Sequence, residues 1–332
     1  MPYQKKWSVS RLKAIEECPM WYYFSYVDKD KRNIPRRPQF AFGDLCHSLM
    51  ERGWTGKDNT FLYKTPQSFF KVAKRLWYKN FVYSETDNRG EVIDWQFEGQ
   101  PHVMARQLKK ATRSMYYKYR NAPRPAFQEL TLESRIIHSL GDRKLEIELL
   151  GKIDAIEQYT RERGLLITDY KTDMFNPGRA RLEWDPQPTV YLLLTSLALR
   201  NDPEFRKQLN YPEELIESTP ETTLILPELN VQFDLLRRGE SFQMQRTDRD
   251  VQRVLATIMD KMTLIEEENY VRSEGTHCLR CMRRERCDTE KEEGLHIQPG
   301  KNPQIEIFPI KPRKPKSRKR PQKSFRFPKN EV

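Results

Sequence analysis

Apolar positions along the chain switch between a helical and a strand-like period. From residue 8 to about 120 they recur every three or four residues, the spacing of helices with one buried face. Ser8 or Ser10 stands where a helix cap belongs, ahead of Leu12 and Ile15, and Cys18-Pro19 leads into the aromatic run Trp21-Tyr22-Tyr23-Phe24. Residues 28–38 are polar and contain proline, so they read as a loop. Helices are then predicted over about 40–54, 66–81 and 100–120, the last with Val103, Met104, Leu108, Ala111 and Met115 on one face.

Beyond residue 126 the pattern becomes strand-like. Strands are predicted over 127–138, 144–159 and 164–171, with Thr160-Arg161-Glu162-Arg163-Gly164 turning the second into the third. A helix over 186–200 follows, with Pro188 tolerated in its first turn. Further strands are expected over 221–229, 231–236 and 241–246, the last two joined across Arg237-Arg238-Gly239-Glu240. Thr247 can cap an amphipathic helix that turns Val251, Val254, Leu255, Ile258, Met259, Met262 and Ile265 inward. The succession predicts an α/β fold, a central mixed sheet flanked by helices. It divides into an N-terminal helical part (1–125), a core (126–246) and a helix with a cysteine cluster (247–290), one domain ending near 299.

No apolar run approaches the ~20 residues that span a bilayer, and the first residues lack the apolar stretch of a signal peptide. The expectation is a soluble cytoplasmic protein with no membrane partner (in the host cytoplasm, for a viral source). Charge sharpens the picture. The formal net charge is +12, but residues 311–332 hold ten Lys/Arg against one acid, leaving only +3 on the first 310 residues. Lys311, Arg313, Lys314, Lys316, Arg318, Lys319 and Arg320, interrupted by prolines, read as a disordered tail over 300–332. Such a tail can hold nucleic-acid phosphates without sequence preference. A solvated or partner-docking terminus is the plainer reading. Of five cysteines, Cys278, Cys281 and Cys287 crowd together, which suggests a metal site before disulfides. Cys46 reads as a small buried hydrophobe, and the aromatic run at 21–24 as core, with base stacking as the alternative.

The chemistry concentrates on two strands. Asp154 lies in Gly151-Lys152-Ile153-Asp154, and Asp169 and Lys171 in Ile167-Thr168-Asp169-Tyr170-Lys171. Two apart on a strand, Asp169 and Lys171 leave the same face, and a paired hairpin lets Asp154 join them. Converging carboxylates repel unless a cation sits between them, and hard oxygen ligands favour Mg²⁺ or Mn²⁺. The ion would activate water and neutralise a phosphodiester, with Lys171 orienting the water or holding the phosphate. Taken alone, Asp-x-Lys is equally the pattern of an exposed ion pair.

These residues resemble the PD-(D/E)XK nuclease superfamily, most closely its RecB-like exonuclease branch. That branch has three further marks, each matched here. Gly43-Asp44-Leu45-Cys46-His47 matches an upstream Gly-x-x-x-His, and Gln187-Pro188-Thr189-Val190-Tyr191 a downstream Gln-x-x-x-Tyr. Ser8-Val9-Ser10-Arg11-Leu12 with Cys18-Pro19 matches an N-terminal helix. The resemblance spans roughly residues 8–288 and implies a restriction-endonuclease-like core and a metal-dependent DNA nuclease, an exonuclease on single strands or DNA ends. It implies that His47, Asp154, Asp169 and the Tyr170 carbonyl ligate the ion, that Lys171 is catalytic, and that Gln187 and Tyr191 position Lys171 or the DNA. A buried histidine and ordinary core packing remain the plain readings of His47 and Tyr191. An acidic residue on the first core strand corresponds to Glu129 or Glu133. Cys18 with Cys278, Cys281 and Cys287 resembles the iron–sulfur nucleases of the AddB type and the CRISPR-adaptation exonucleases, implying a 4Fe–4S cluster, with zinc as the alternative. The chain contains no phosphate loop, so a helicase or recombination partner would supply any motor. A non-catalytic DNA-binding or assembly module of the same fold is the rival reading.

Overall fold

The computed structural model describes residues 6–28, 37–54, 61–83, 92–95, 101–140, 142–172, 182–281 and 283–292. Lys311, Arg313, Lys314, Lys316, Arg318, Lys319 and Arg320 lie outside the described residues. The chain opens with a short strand, β1 (Lys6–Ser8), and helices α1 (Val9–Glu17) and α2 (Pro19–Tyr22), the second continuing as a π turn over Tyr23–Val27. Helices α3 (Pro38–Gly53), α4 (Pro66–Trp77) and α5 (Pro101–Tyr119) follow. Next come β2 (Phe127–Leu140), β3 (Arg143–Ile156) and β4 (Leu165–Lys171), then α6 (Pro186–Asn201), α7 (Pro203–Leu209) and α8 (Glu213–Glu217). Strands β5 (Leu229–Leu235) and β6 (Glu240–Met244), helix α9 (Asp248–Glu266), a 3₁₀ turn over Thr276–Arg280 and α10 (Arg284–Glu292) complete it.

The six strands form one mixed sheet in the order β1-β3-β4-β5-β6, with β2 also paired to β3. Strand β2 occupies one edge of β3 along nearly its whole length. The other edge of β3 is therefore shared: β1 meets it in parallel at Glu148–Leu150, and β4 antiparallel at Ala155 and Ile156. Between those contacts β3 has no strand neighbour on that side among the described residues, and the candidate site is built around this gap.

Helices cover the sheet. Helix α6 is buried nearly all round, from Pro188 to Ser196, as expected of a helix without a polar face. It packs Val190, Leu193 and Leu194 with α1 and α9, and Tyr191, Leu192 and Leu199 with the core strands. Asp185 caps it by accepting from Gln187 N at 2.9 Å, and Pro188 falls in the first turn, where its missing N–H breaks no helical bond. A separate cluster joins α3, α4 and α5 around Phe42, Trp54, Phe69 and Trp77. Tyr22 and Phe24 are buried, and Tyr22 stacks between Trp7 and Tyr270, so the aromatic run belongs to the core. Among the described residues no helix is long and apolar enough to cross a membrane.

One sequence expectation fails. Of the strand expected over 221–229 only Leu229 belongs to a strand. The amides of Leu224 and Ile225 donate instead to Asp248 Oδ1 (3.1 and 3.0 Å), and Leu226 N to Ser196 Oγ (3.0 Å). Side-chain acceptors satisfy the backbone that a neighbouring strand would otherwise have claimed.

Candidate active site

Strands β3 and β4 pair at Ile156–Ile167 and Ala155–Thr168, then part. The next opposed residues are Asp154 and Asp169, so the fork opens where the two carboxylates stand. Both polar groups of the Tyr170 peptide are taken up there by side chains. Tyr170 N donates to Asp154 Oδ2 at 2.7 Å, and Tyr170 O lies 3.0 Å from His47 Nε2. The alternation of β3 also slips at this point. Ile153 and Ile156, three apart rather than two, both pack with α6, whereas Ala155 joins the α3–α5 cluster. Opposite Asp154 on β2, Glu129 has a φ of +51°, a left-handed conformation that costs a non-glycine residue roughly 1–3 kcal/mol. Both irregularities fall where the charged groups gather.

Helix α3 delivers His47. It starts at Pro38, whose fixed φ suits a first helical position. A Cβ on Gly43 would lie 3.2 Å from Thr172 Oγ1, so the glycine lets α3 run close past the end of β4. One turn later His47 Nδ1 reaches Asp154 Oδ1 at 3.1 Å, with Glu129 Oε1 at 3.9 Å. Burial opposes charge on the imidazole, but the Asp154 carboxylate and hydrogen bonds to Asp154 and Glu129 outweigh it and raise the pKa to about 10. Glu129, bonded to His47 and paired with Lys152, is lowered to about 2 despite its partial burial. Glu133 faces elsewhere and pairs with Lys6 on the surface at 2.8 Å.

The other half of the fork is a polar chain. Lys171 Nζ lies 2.7 Å from Asp169 Oδ2 and donates to Gln187 Oε1 at 2.8 Å, with its charge 4.8 Å from the centre of the Phe233 ring. Gln187 Nε2 donates to Asp169 Oδ1 (2.5 Å) and to the Tyr191 hydroxyl (2.8 Å). The Tyr191 hydroxyl donates to the Lys152 carbonyl, inside the gap between β1 and β4. Gln187 and Tyr191 share a face of α6 because four residues separate them. Burial raises the Asp169 pKa to about 6, opposed by Lys171 and reinforced by Asp154. On Lys171 burial works against the charge, but Asp169 and its hydrogen bond prevail and its pKa rises, so the side chain is an ammonium.

The donor set suits a divalent cation. One ligand atom each from His47, Glu129 and Asp154 lie within 4.8 Å of one another. Octahedral ligands about 2.0–2.1 Å from an ion stand about 3 Å apart, close to the 3.0 Å between His47 Nε2 and Tyr170 O. Asp169 Oδ2 is buried and held at 2.7 Å by the Lys171 ammonium. Asp169 stands beside the group rather than in it, held by Lys171 and Gln187, while Glu129 supplies the third member.

At the far end of the chain, Cys18, Cys278, Cys281 and Cys287 line one cavity. Arg286 on α10 pairs with Asp28 at 2.5 Å and lies 4.1 Å over the Phe24 ring, tying the two ends of the chain together. Burial raises the Cys281 and Cys287 thiols, and the backbone N–H of Arg283 donates to Cys281 Sγ at 3.4 Å. Cys46 is fully buried, and burial pushes its thiol to about 12, so it is inert.

Residues 6–288 match the family model of the PD-(D/E)XK nuclease superfamily, and the chain belongs to that superfamily. Its six-stranded mixed sheet flanked by helices is that of a restriction-endonuclease-like core. Members of the family are usually metal-dependent nucleases. No curated protein matches the chain. Among solved structures it is similar to one described as "Crystal structure of SSO0001", at 10% identity over 91% of this chain and 90% of that one, with a TM-score of 0.27.

Proposed function

We propose that this chain is a Mg²⁺- or Mn²⁺-dependent deoxyribonuclease, an exonuclease that hydrolyses phosphodiesters of single-stranded DNA or of DNA ends. The observation that carries the reading is the fork. His47, Glu129 and Asp154 converge on one side of it, and Asp169, Lys171 and Gln187 form a hydrogen-bonded chain on the other. His47, Glu129, Asp154 and the Tyr170 carbonyl would hold the ion, joined from the other side of the fork by Asp169. The ion would supply charge neutralisation for the phosphodiester and a more acidic water. Lys171, as an ammonium, donates hydrogen bonds to the scissile phosphate or to the attacking water rather than removing a proton. Gln187 fixes the lysine, and Tyr191 fixes Gln187 against β3. A module that only bound DNA would have no chemical need for Asp154, Asp169 and Lys171 together.

The same reading covers the cysteines. Cys18, Cys278, Cys281 and Cys287 line one cavity, and a 4Fe–4S cluster held there would brace α2 against α10, with zinc as the alternative. The implied setting is the cytoplasm, with DNA as substrate, the basic tail as a phosphate contact and a helicase or recombination protein as partner.

The test compares wild type with Lys171→Ala on end-labelled single-stranded and duplex DNA, with Mg²⁺, Mn²⁺ or EDTA. Metal-dependent degradation that the variant loses by at least about a hundredfold is expected, the scale of a removed electrostatic stabiliser. If neither protein cuts with any metal while both bind DNA alike, the nuclease reading fails.

A further inference from the structure

The catalytic fork leaves unexplained an exposed tryptophan in the turn just ahead of α6. Trp184 is 70% exposed, yet the turn that presents it is held from several directions. Arg246 Nη2 donates to the carbonyls of Leu182 (3.1 Å) and Glu183 (2.9 Å). Asp185 caps Gln187 N through one oxygen at 2.9 Å and meets Lys13 Nζ through the other at 2.7 Å. Arg253, on α9, lies over the indole with its guanidinium carbon 4.7 Å from the ring centroid, and Asp250 holds it at 3.0 Å. The result is a fixed aromatic plate in water, with a cation against one face and Lys13 and Arg246 bracing the same turn.

Folding gives no reason for that arrangement, because an exposed indole buries little apolar surface. Its position gives one. Trp184 precedes Gln187 by three residues, and Gln187 bonds directly to Lys171 and Asp169. Three residues of chain span at most about 11 Å, the length of roughly three bases at ~3.4 Å along a strand. A strand whose phosphodiester lies at Lys171 can therefore bring a base a few nucleotides away to the indole. Every base has a π face, and stacking needs no particular sequence. A duplex keeps its bases stacked on each other and offers none.

We propose that Trp184, backed by Arg253, is a stacking platform for an unpaired nucleobase, which makes single-stranded DNA the preferred substrate of the fork. The proposal rests on the nuclease reading, and its test separates the two. Binding of a labelled single-stranded oligonucleotide and of a blunt hairpin duplex is measured in EDTA for wild type, Trp184→Ala and Trp184→Phe, with thermal melts to verify folding. The alanine variant is expected to bind the single strand about tenfold more weakly, the scale of one lost base–aromatic stack, and the duplex unchanged. Phenylalanine restores most of the loss. A single abasic nucleotide moved along the strand weakens wild type by a similar factor at one position and leaves Trp184→Ala indifferent. Equal affinity of wild type and Trp184→Ala for the single strand overturns the platform, and so does an equal loss on both DNAs. Absence of metal-dependent cutting by wild type would sink the nuclease reading while the EDTA data still decide the platform.

Discussion

Gly151→Ala tests how firmly the catalytic helix is seated on the sheet. A Cβ at this position would stand 2.7 Å from Leu194 Cδ1 and 3.4 Å from Tyr191 Cδ1. Carbon atoms settle at about 3.5–4.0 Å, so the Leu194 terminus must retreat by about 1 Å. Leu194 is 1% exposed and packed between α1, β3 and α9, which leaves little room to rotate. Overpacking of this kind costs roughly 1–3 kcal/mol. Strain that Leu194 does not absorb moves α6 itself, and with it the Tyr191 hydroxyl and Gln187. A misplacement of ~1 Å at a catalytic group costs on the order of a hundredfold in rate, so a shift of a few tenths predicts a loss of several-fold. Urea unfolding in EDTA gives the stability term, and turnover on a labelled oligonucleotide gives the catalytic one. The decisive variant is the double, Gly151→Ala with Leu194→Ala. Alone, Leu194→Ala leaves a cavity worth roughly 2–5 kcal/mol. In the pair the new methyl fills part of that cavity, so the double should be more stable than the summed singles by at least ~1 kcal/mol and recover activity. Additivity within ~0.5 kcal/mol, or a neutral Gly151→Ala, would refute the reasoning.

Two further outcomes follow from the charged groups. With its pKa raised from 6.5 to about 10, His47 lends the metal-free fold stability that is fully present below pH 6.5 and lost as pH rises through 10. That proton must leave before the nitrogen can ligate. Mn²⁺ binding near pH 8 should release about one proton per ion, read by titration calorimetry in buffers of different ionisation enthalpy, and His47→Asn should release none; zero release from wild type contradicts the ligand role. Asp234, 1% exposed on β5, accepts from the Tyr119 hydroxyl and from Gln232 Nε2 at 2.7 Å, and pairs with Lys118 at 2.5 Å. Asp234→Ala strands those partners and should cost about 3 kcal/mol in denaturant unfolding, near the low end for a broken buried pair because Lys118 keeps some solvent. A loss below ~1 kcal/mol would show the network to be dispensable.

Residue spacing made part of this site legible, and the places where spacing failed share a cause. Asp169 and Lys171 fall on one strand face by period two, and Gln187 and Tyr191 on one helix face by period four, so local geometry alone groups each pair. Glu129 and Glu133 are separated by an even number of residues on the same strand, so period two gives both the same face and does not choose between them. Register chooses: Glu129 stands opposite Asp154, at the slip in β3, while Glu133 pairs opposite Leu150 and reaches Lys6. Even so the choice depends on a left-handed φ at Glu129 that no propensity foretells for a glutamate. Strand β1 has no signature of its own for a related reason, since three residues carry no period and are ordered by β3 beside them. Residues 221–228 look like a strand yet are claimed by Asp248 and Ser196, acceptors distant in sequence. In each case the deciding partner lies tens of residues away, where tertiary contacts outweigh local preference. The fork depends on the same kind of partner. Asp154 takes the Tyr170 amide, His47 faces the Tyr170 carbonyl and Tyr191 bonds the Lys152 carbonyl. The charged side chains thus occupy the backbone groups that an unbroken sheet would have paired, and the site and the break in the sheet stabilise each other.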